Sequence, residues 1–253
     1  MNSILVYHTI SSPAKPIPGD IDVSPERFER QLRWLSRWRR VVRLTQTLRA
    51  TPGNRQIAIT FDDGFRDNLT VALPLLEKYN LPMTLFVTAG FVGTGLYLSR
   101  EELLEMSKHP LITIGAHGLL HRHFTKMTRA EAKFELKHSR KMLEEIIEAK
   151  VDLMAWPYGE CNDELEQLSH EAGYRASWSV SKGHNTRHSL FRVPLGRNDN
   201  MTRFIAKASG AYFPVKSLEN KIADWRRGIS DFKFQIQNWN RSSNDGSTLV
   251  KKI

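Results

Sequence analysis

Six short apolar runs recur along the chain, at residues 4–7, 57–61, 83–87, 111–114, 153–156 and 175–180, and helix start signals lie between them. The runs are too uniformly apolar to alternate, which is the mark of strands buried on both faces. Ser24-Pro25 reads as an N-cap followed by proline at the first helical position, with Phe28, Leu32 and Leu35 at helical spacing after it. Ser99 with Glu102 and Thr128 with Glu131 form capping boxes, and the second opens a helix to about residue 149. Asn162 caps a shorter helix that stops at Gly173, and residues 69–79 read as another, which tolerates Pro74 only if the helix effectively begins near it. Strands alternating with helices predict parallel βα units. At 253 residues the choice lies between an open doubly wound sheet and a (β/α) barrel, and either buries a core without staples. Neither GxGxxG nor GxxxxGK[ST] occurs, so nucleotide binding by either standard loop drops out, and no solenoid repeat is present.

Three motifs carry chemistry, and each directly follows a predicted strand. Thr60-Phe61-Asp62-Asp63-Gly64 places two carboxylates side by side, an arrangement that is costly unless a cation or a hydrogen-bond network holds them. Asp-Gly is also a good solvated turn. His117-Gly118-Leu119-Leu120-His121 sets two imidazoles four residues apart, able to reach one ion if the segment turns helically. Nine histidines in the chain, including the neighbouring His123, keep chance proximity open. A carboxylate with two imidazoles suits Zn²⁺ or a similar divalent ion with coordination positions left open. Trp156-Pro157-Tyr158-Gly159 is either an ordinary turn or one that aims a backbone N–H at a developing oxyanion.

The three motifs in this order, with helices between them, resemble the polysaccharide deacetylase family, carbohydrate esterase family 4. The text around residues 73–87 and Glu171-Ala172-Gly173-Tyr174 is similar as well, and the likeness covers most of residues 1 to about 195. It implies an α/β fold: a single-domain, distorted (β/α) barrel of about seven parallel strands over residues 1–234, followed by a basic extension at 235–253. The implied activity is metal-dependent removal of an N-acetyl or similar small N-acyl group from an amino sugar, in a polysaccharide or in a lipid- or nucleotide-linked glycan intermediate. By motif position Asp63, His117 and His121 would hold one divalent ion, zinc first, with cobalt, nickel or manganese as alternatives. Asp62 would be the base that activates water, and the Tyr158 N–H would receive the oxyanion.

Many family members carry the proton donor as a histidine in a strand near the C-terminus, but here no histidine follows His188. Leu5-Val6-Tyr7-His8 stands on the first strand instead, as in the permuted subgroup acting on poly-N-acetylglucosamine. His8 is therefore the candidate general acid, and a satisfied strand-end histidine is the alternative. Ala155 occupies the place where relatives often carry an arginine that orients the base, so Arg192 or Arg197 is expected to substitute. Trp178 would either wall the acyl pocket or sit in the core. His184 and His188 are expected on an exposed loop, and Cys161 is incidental. The missing arginine also supports a rival reading, a catalytically decayed glycan-binding homologue.

The net charge of +10 is local. Residues 27–49 hold Arg27, Arg30, Arg33, Arg37, Arg39, Arg40, Arg43 and Arg49 against Glu29, and residues 221–253 hold a second excess, which leaves the rest near neutral. The partners expected are an N-acetylated carbohydrate and, through the helix of residues 27–40, an anionic lipid surface or a lipid-linked substrate. A solvated helix face is the plain alternative, and no nucleic-acid motif accompanies the charge. With no basic leader or membrane-length apolar run, the expected location is cytoplasmic, at most peripheral on the inner membrane face.

Overall fold

A computed structural model describes residues 3–11, 20–49, 56–180, 186–188 and 190–210. In chain order the elements are β1 (Ser3–Tyr7), α1 (Pro25–Trp38), β2 (Arg40–Val41), α2 (Leu44–Thr47), β3 (Gln56–Phe61), α3 (Leu73–Tyr79), β4 (Met83–Val87) and α4 (Arg100–Lys108). They continue with β5 (Ile112–Ala116), α5 (Arg129–Ile147), β6 (Leu153–Ala155), α6 (Asp163–Glu171), β7 (Ala176–Ser179), β8 (Leu190–Phe191), β9 (Val193–Pro194) and α7 (Met201–Ala208). The strands are parallel in the order β8-β7-β6-β5-β4-β3-β1-β9, with β2 added beside β3. β8 pairs with β7 while β9 pairs with β1, and only Arg192 separates them. One bent stave thus joins the two edges, and the sheet becomes a nearly closed barrel, which of the two parallel folds left open by the alternation of elements is the one that the family resemblance implies.

The helix signals act as read. Ser24, Ser99, Thr128 and Asn162 each accept a hydrogen bond from the backbone three residues on. Pro74 sits in the first turn of α3, and the preceding residues Asn68–Ala72 form a wider π-turn that spares the proline an interior position. Alternation along each strand then sorts the core into two layers. Tyr7 and Phe61 point outward and pack against Phe28 of α1, with ring centroids 5.1–5.7 Å apart. Ala58, Phe86, Leu153, Ala155, Ala176 and Trp178 cluster in the interior. Phe28 is fully buried, and truncation to alanine should cost about 3–5 kcal/mol.

Several expectations need correction. The elements β2, α2, β8 and β9 carry too few residues to show a period and were absent from the sequence reading, as was α7, whose Asn200 cap was an available signal. The basic stripe on α1 is not continuous: Arg27 donates to the carbonyls of Arg197 and Asp199, while Arg33 engages Tyr79 and lies 3.6 Å from Glu29. His188 is half-buried rather than exposed, because its carbonyl accepts from Trp156 Nε1 and its Nδ1 meets Ser169 Oγ. Trp178 is fully buried against Phe86, which supports its reading as core. His184, the boundary at residue 234, the extension at 235–253 and the second basic segment lie outside the described residues.

Candidate active site

The Asp62-Asp63 pair stands where β3 ends. The Asp62 N–H donates to the Tyr7 carbonyl at 2.9 Å, which carries the β1–β3 ladder one residue further. The chain then turns sharply, with Asp63 at φ 72° and Gly64 at φ 86°. Left-handed backbone at a non-glycine residue costs about 1–2 kcal/mol, and aspartate is among the residues that tolerate it. Both carboxylates are buried as a result, facing the mouth at the C-terminal ends of the strands.

His117 follows β5, and its N–H continues the ladder to the Val87 carbonyl. Its Nδ1 lies 2.8 Å from the Ala155 carbonyl, which can only accept, so the ring proton sits on Nδ1 and the Nε2 lone pair is directed at the carboxylates. Nε2 is 3.6 Å from Asp63 Oδ1 and 3.8 Å from Asp62 Oδ2. Burial, the dominant influence, pushes His117 down to about 3, so it is neutral near pH 7. His121 is brought in differently from expectation. The segment does not turn helically but bends through left-handed Gly118 (φ 76°) and His121 (φ 51°), placing His121 Nε2 3.3 Å from Asp63 Oδ1. Burial lowers the His121 pKa as well.

That bend is held by a residue the sequence reading missed. Buried Glu135 of α5 accepts from the N–H groups of Leu119 at 2.8 Å and Leu120 at 3.1 Å. It stands among Ala132, Leu136 and Ser139 on the buried helix face. An acid where the period calls for an apolar residue was the available signal.

The donor set fits a small divalent cation. Asp63 Oδ1 is buried without a hydrogen-bond partner among the described residues, yet it faces two imidazole nitrogens. Ligands about 2.1 Å from one tetrahedral ion lie roughly 3.4 Å apart, close to the 3.3 and 3.6 Å separations from Asp63 Oδ1. Among the described residues Asp63, His117 and His121 are the group able to hold a metal. Burial, opposed by the charge of His8 and reinforced by that of Asp62, pushes the Asp63 carboxyl up to about 6. A cation would reverse that cost.

Asp62 is held for a different purpose. Burial would raise its pKa, but the Arg192 guanidinium and the ring of His117 outweigh burial and draw it down to about 2. Arg192 is fully buried and clamps the carboxylate through two parallel bonds, Nη1 to Oδ1 at 2.7 Å and Nη2 to Oδ2 at 2.8 Å. Its Nη1 also reaches Thr60 Oγ1, and its guanidinium carbon lies 5.1 Å from the Phe86 ring centre. Arg197, the other candidate, instead binds Asp22 through Nε at 3.1 Å. The arginine missing at Ala155 is therefore supplied from the stave that closes the barrel.

His8 ends β1. Asn68 Nδ2 holds its carbonyl at 2.8 Å, and its Nδ1 is buried with no partner among the described residues. Its ring acts electrostatically on both aspartates, lowering the pKa of each. Tyr158 adopts left-handed backbone, φ 59° and ψ 1°. Its half-exposed ring stacks on His123 at 3.7 Å and meets His121 edge-on at 4.7 Å. His123 is steadied in turn by Glu160, 3.2 Å from Nδ1. Gly159 next to it has φ 68°, and a Cβ there would lie 1.9 Å from Val180 Cγ2. Cys161 has no base beside it, and burial pushes its thiol up to about 12.

Residues 49–177 match the family model for polysaccharide deacetylases. The chain is 28% identical over 200 residues to YxkH of Bacillus subtilis, which is named for that family, covering 75% of this chain and 70% of the relative. It is likewise 28% identical to the poly-β-1,6-N-acetyl-D-glucosamine N-deacetylase of Staphylococcus aureus, covering 72% of this chain and 68% of that one. Among solved structures, the Streptococcus pyogenes deacetylase PplD in complex with acetate superposes with a TM-score of 0.72 at 23% identity, over 81% of this chain and 97% of that chain.

Proposed function

The chain belongs to the polysaccharide deacetylase family, whose reaction is deacetylation of a polysaccharide, and from that premise we propose a metal-dependent N-deacetylase of polymeric amino sugar. Asp63, His117 and His121 would hold one divalent ion, zinc first. The observation that carries this is the buried Asp63 Oδ1, without a hydrogen bond among the described residues, facing two imidazole nitrogens. When bound, such an ion supplies Lewis acidity and lowers the pKa of water to about 7.

The remaining work falls to this chain's own side chains. Asp62 accepts the proton of the attacking water. Its low pKa makes it a weak base toward ordinary water, so its strength lies in being permanently ionised and in having one fixed direction. Arg192 provides both. The water oxygen bonds to the acyl carbon, and negative charge develops on the former carbonyl oxygen. The Tyr158 N–H, presented by its left-handed backbone, donates to that oxygen. His8, whose Nδ1 has no hydrogen-bond partner among the described residues, gives a proton to the leaving nitrogen as the C–N bond breaks. The products are a free amine and the carboxylate of the acyl group. The decayed-homologue reading leaned on the missing arginine and on the absence of an aspartate partner around Trp178, and Arg192 removes the first of these supports. The test is divalent-metal content together with acetate release from N-acetylglucosamine oligomers, for the parent, Asp62→Asn and Asp63→Asn. A metal-loaded parent that releases no acetate from any acetylated glycan overturns the proposal.

A further inference from the structure

The active site occupies the C-terminal ends of the strands, and the arginine excess lies at the other end. Arg40 pairs with Gln56 at the foot of β3, so roughly 20 Å of strand, at ~3.3 Å per residue, separates it from Asp62. Arg43 reaches the carbonyl of Pro110 and Thr113 Oγ1 near the foot of β5, and Arg175 immediately precedes β7. Arg37, Arg40 and Arg49 are exposed and have no carboxylate partner among the described residues. Arg39 bonds only neutral groups, the Trp38 carbonyl and Ser209 Oγ.

Two features distinguish this end from an ordinary solvated charge run. Trp38, at the last turn of α1, is 60% exposed, and the Arg37 guanidinium lies 5.5 Å from its ring centre. A large indole left in water beside a cation is the pairing favoured at a bilayer interface, where the ring enters the headgroup layer and the charge meets phosphate. At the same end of the strands, Arg49, Arg175 and Arg187 line a recess of about 300 Å³ with Leu48 at its wall. Asp152 lies 3.4 Å from Arg175, and Glu166 accepts from Thr186 next to Arg187, so the described carboxylates sit beside the arginines and do not line the recess. Three arginines thus border a space suited to an anionic headgroup.

We propose that this end of the barrel, from Arg37 through Arg49 with Trp38 and the arginine recess, docks on an anionic phospholipid bilayer and leaves the catalytic mouth facing away from the membrane. The contacting surface therefore runs past α1 to its C-terminal end and the segment beyond it, since Arg27 and Arg33 are already engaged. Held this way, the site meets sugar units some distance out along a polymer and does not reach those beside a lipid anchor.

The test uses the full chain with vesicles of phosphatidylcholine, alone or with about a third phosphatidylglycerol, in co-sedimentation at low and high salt. Sedimentation should require the anionic lipid and weaken with salt. Each basic residue near such a surface contributes roughly fivefold, so Arg37→Gln, Arg40→Gln and Arg49→Gln together should weaken binding roughly a hundredfold while circular dichroism stays unchanged. Bromine-labelled lipid should quench the parent's tryptophan emission, and Trp38→Ala should lose that quenching. Each readout is independent of deacetylation, so failure here leaves the catalytic reading standing. Equal sedimentation with neutral and anionic vesicles, unchanged binding by the triple variant, or tight binding to single-stranded DNA with none to vesicles would each overturn the proposal.

Discussion

Replacing Arg192 by methionine tests the central electrostatic claim. The side chain is fully buried, so its removal admits no bulk water to take over the solvation of Asp62. Two bonds of 2.7 and 2.8 Å disappear, and a carboxylate that burial already disfavours is left without its counter-charge. Breaking a buried pair on one side typically costs about 3–5 kcal/mol, whereas replacing both partners by neutral groups is close to neutral. Arg192→Met should therefore lose about 3–5 kcal/mol in urea unfolding near neutral pH, which for a chain of this size lowers the melting temperature by about 10 °C. Adding Asp62→Asn should recover most of that loss, since the amide carries no charge to strand. The sign with pH follows: without Arg192, burial raises the Asp62 pKa, so the variant's deficit should shrink as acid neutralises the carboxyl. Arg192→Lys keeps the charge but not the fork and should fall between. A loss below about 1 kcal/mol for Arg192→Met, or strictly additive single and double variants, would refute the reasoning.

Glu135→Leu should weaken divalent-metal affinity about 10–100-fold, measured by competition with a chelating dye, because the Leu119 and Leu120 N–H groups lose their acceptor and the His121 bend loosens. Unchanged affinity would show that the bend holds itself. Gly159→Ala should cost at least about 3 kcal/mol or abolish soluble expression, and adding Val180→Ala should not restore it, because the Val180 backbone nitrogen lies 2.6 Å from the new Cβ. Cys161, pushed up to about 12, should resist thiol reagents at pH 8 in the native protein and react readily in denaturant. Native labelling as fast as that of a free thiol would contradict its burial. His8→Gln should lower kcat with little change in KM and remove the limb of the pH–rate profile that reports the proton donor, whereas a purely structural His8 would leave the profile's shape unchanged.

Much of this molecule is legible in its residues because the signals are local. Caps at Ser24, Ser99, Thr128 and Asn162 need only three-residue spacing, and the apolar runs mark six strands within a residue or two. Asp62, Asp63, His117 and His121 could be grouped because each follows a recognisable strand. What escaped is set by long-range geometry. Nothing near Arg192 announces that it lies opposite Asp62, 130 positions earlier, and the choice between Arg192 and Arg197 needed the bend between β8 and β9. The His117–His121 segment was expected to turn helically because a four-residue spacing suggests it. Gly118 makes the left-handed alternative accessible, and Glu135, contributed by a helix further along the chain, stabilises it.

The divided last stave also bears on how the protein comes into being. Parallel pairing of β9 with β1 joins residues nearly two hundred positions apart, so a chain emerging from the ribosome exposes both aspartates long before their arginine exists. Until residue 192 arrives, sealing the barrel would entomb a naked anion, and an early collapse around the site is disfavoured by several kcal/mol. The same side chain that aims the carboxylate thus acts as a proofreading step in assembly. A chain cut short before the final stave should stay open and inert, with no half-built species that is folded and partly active.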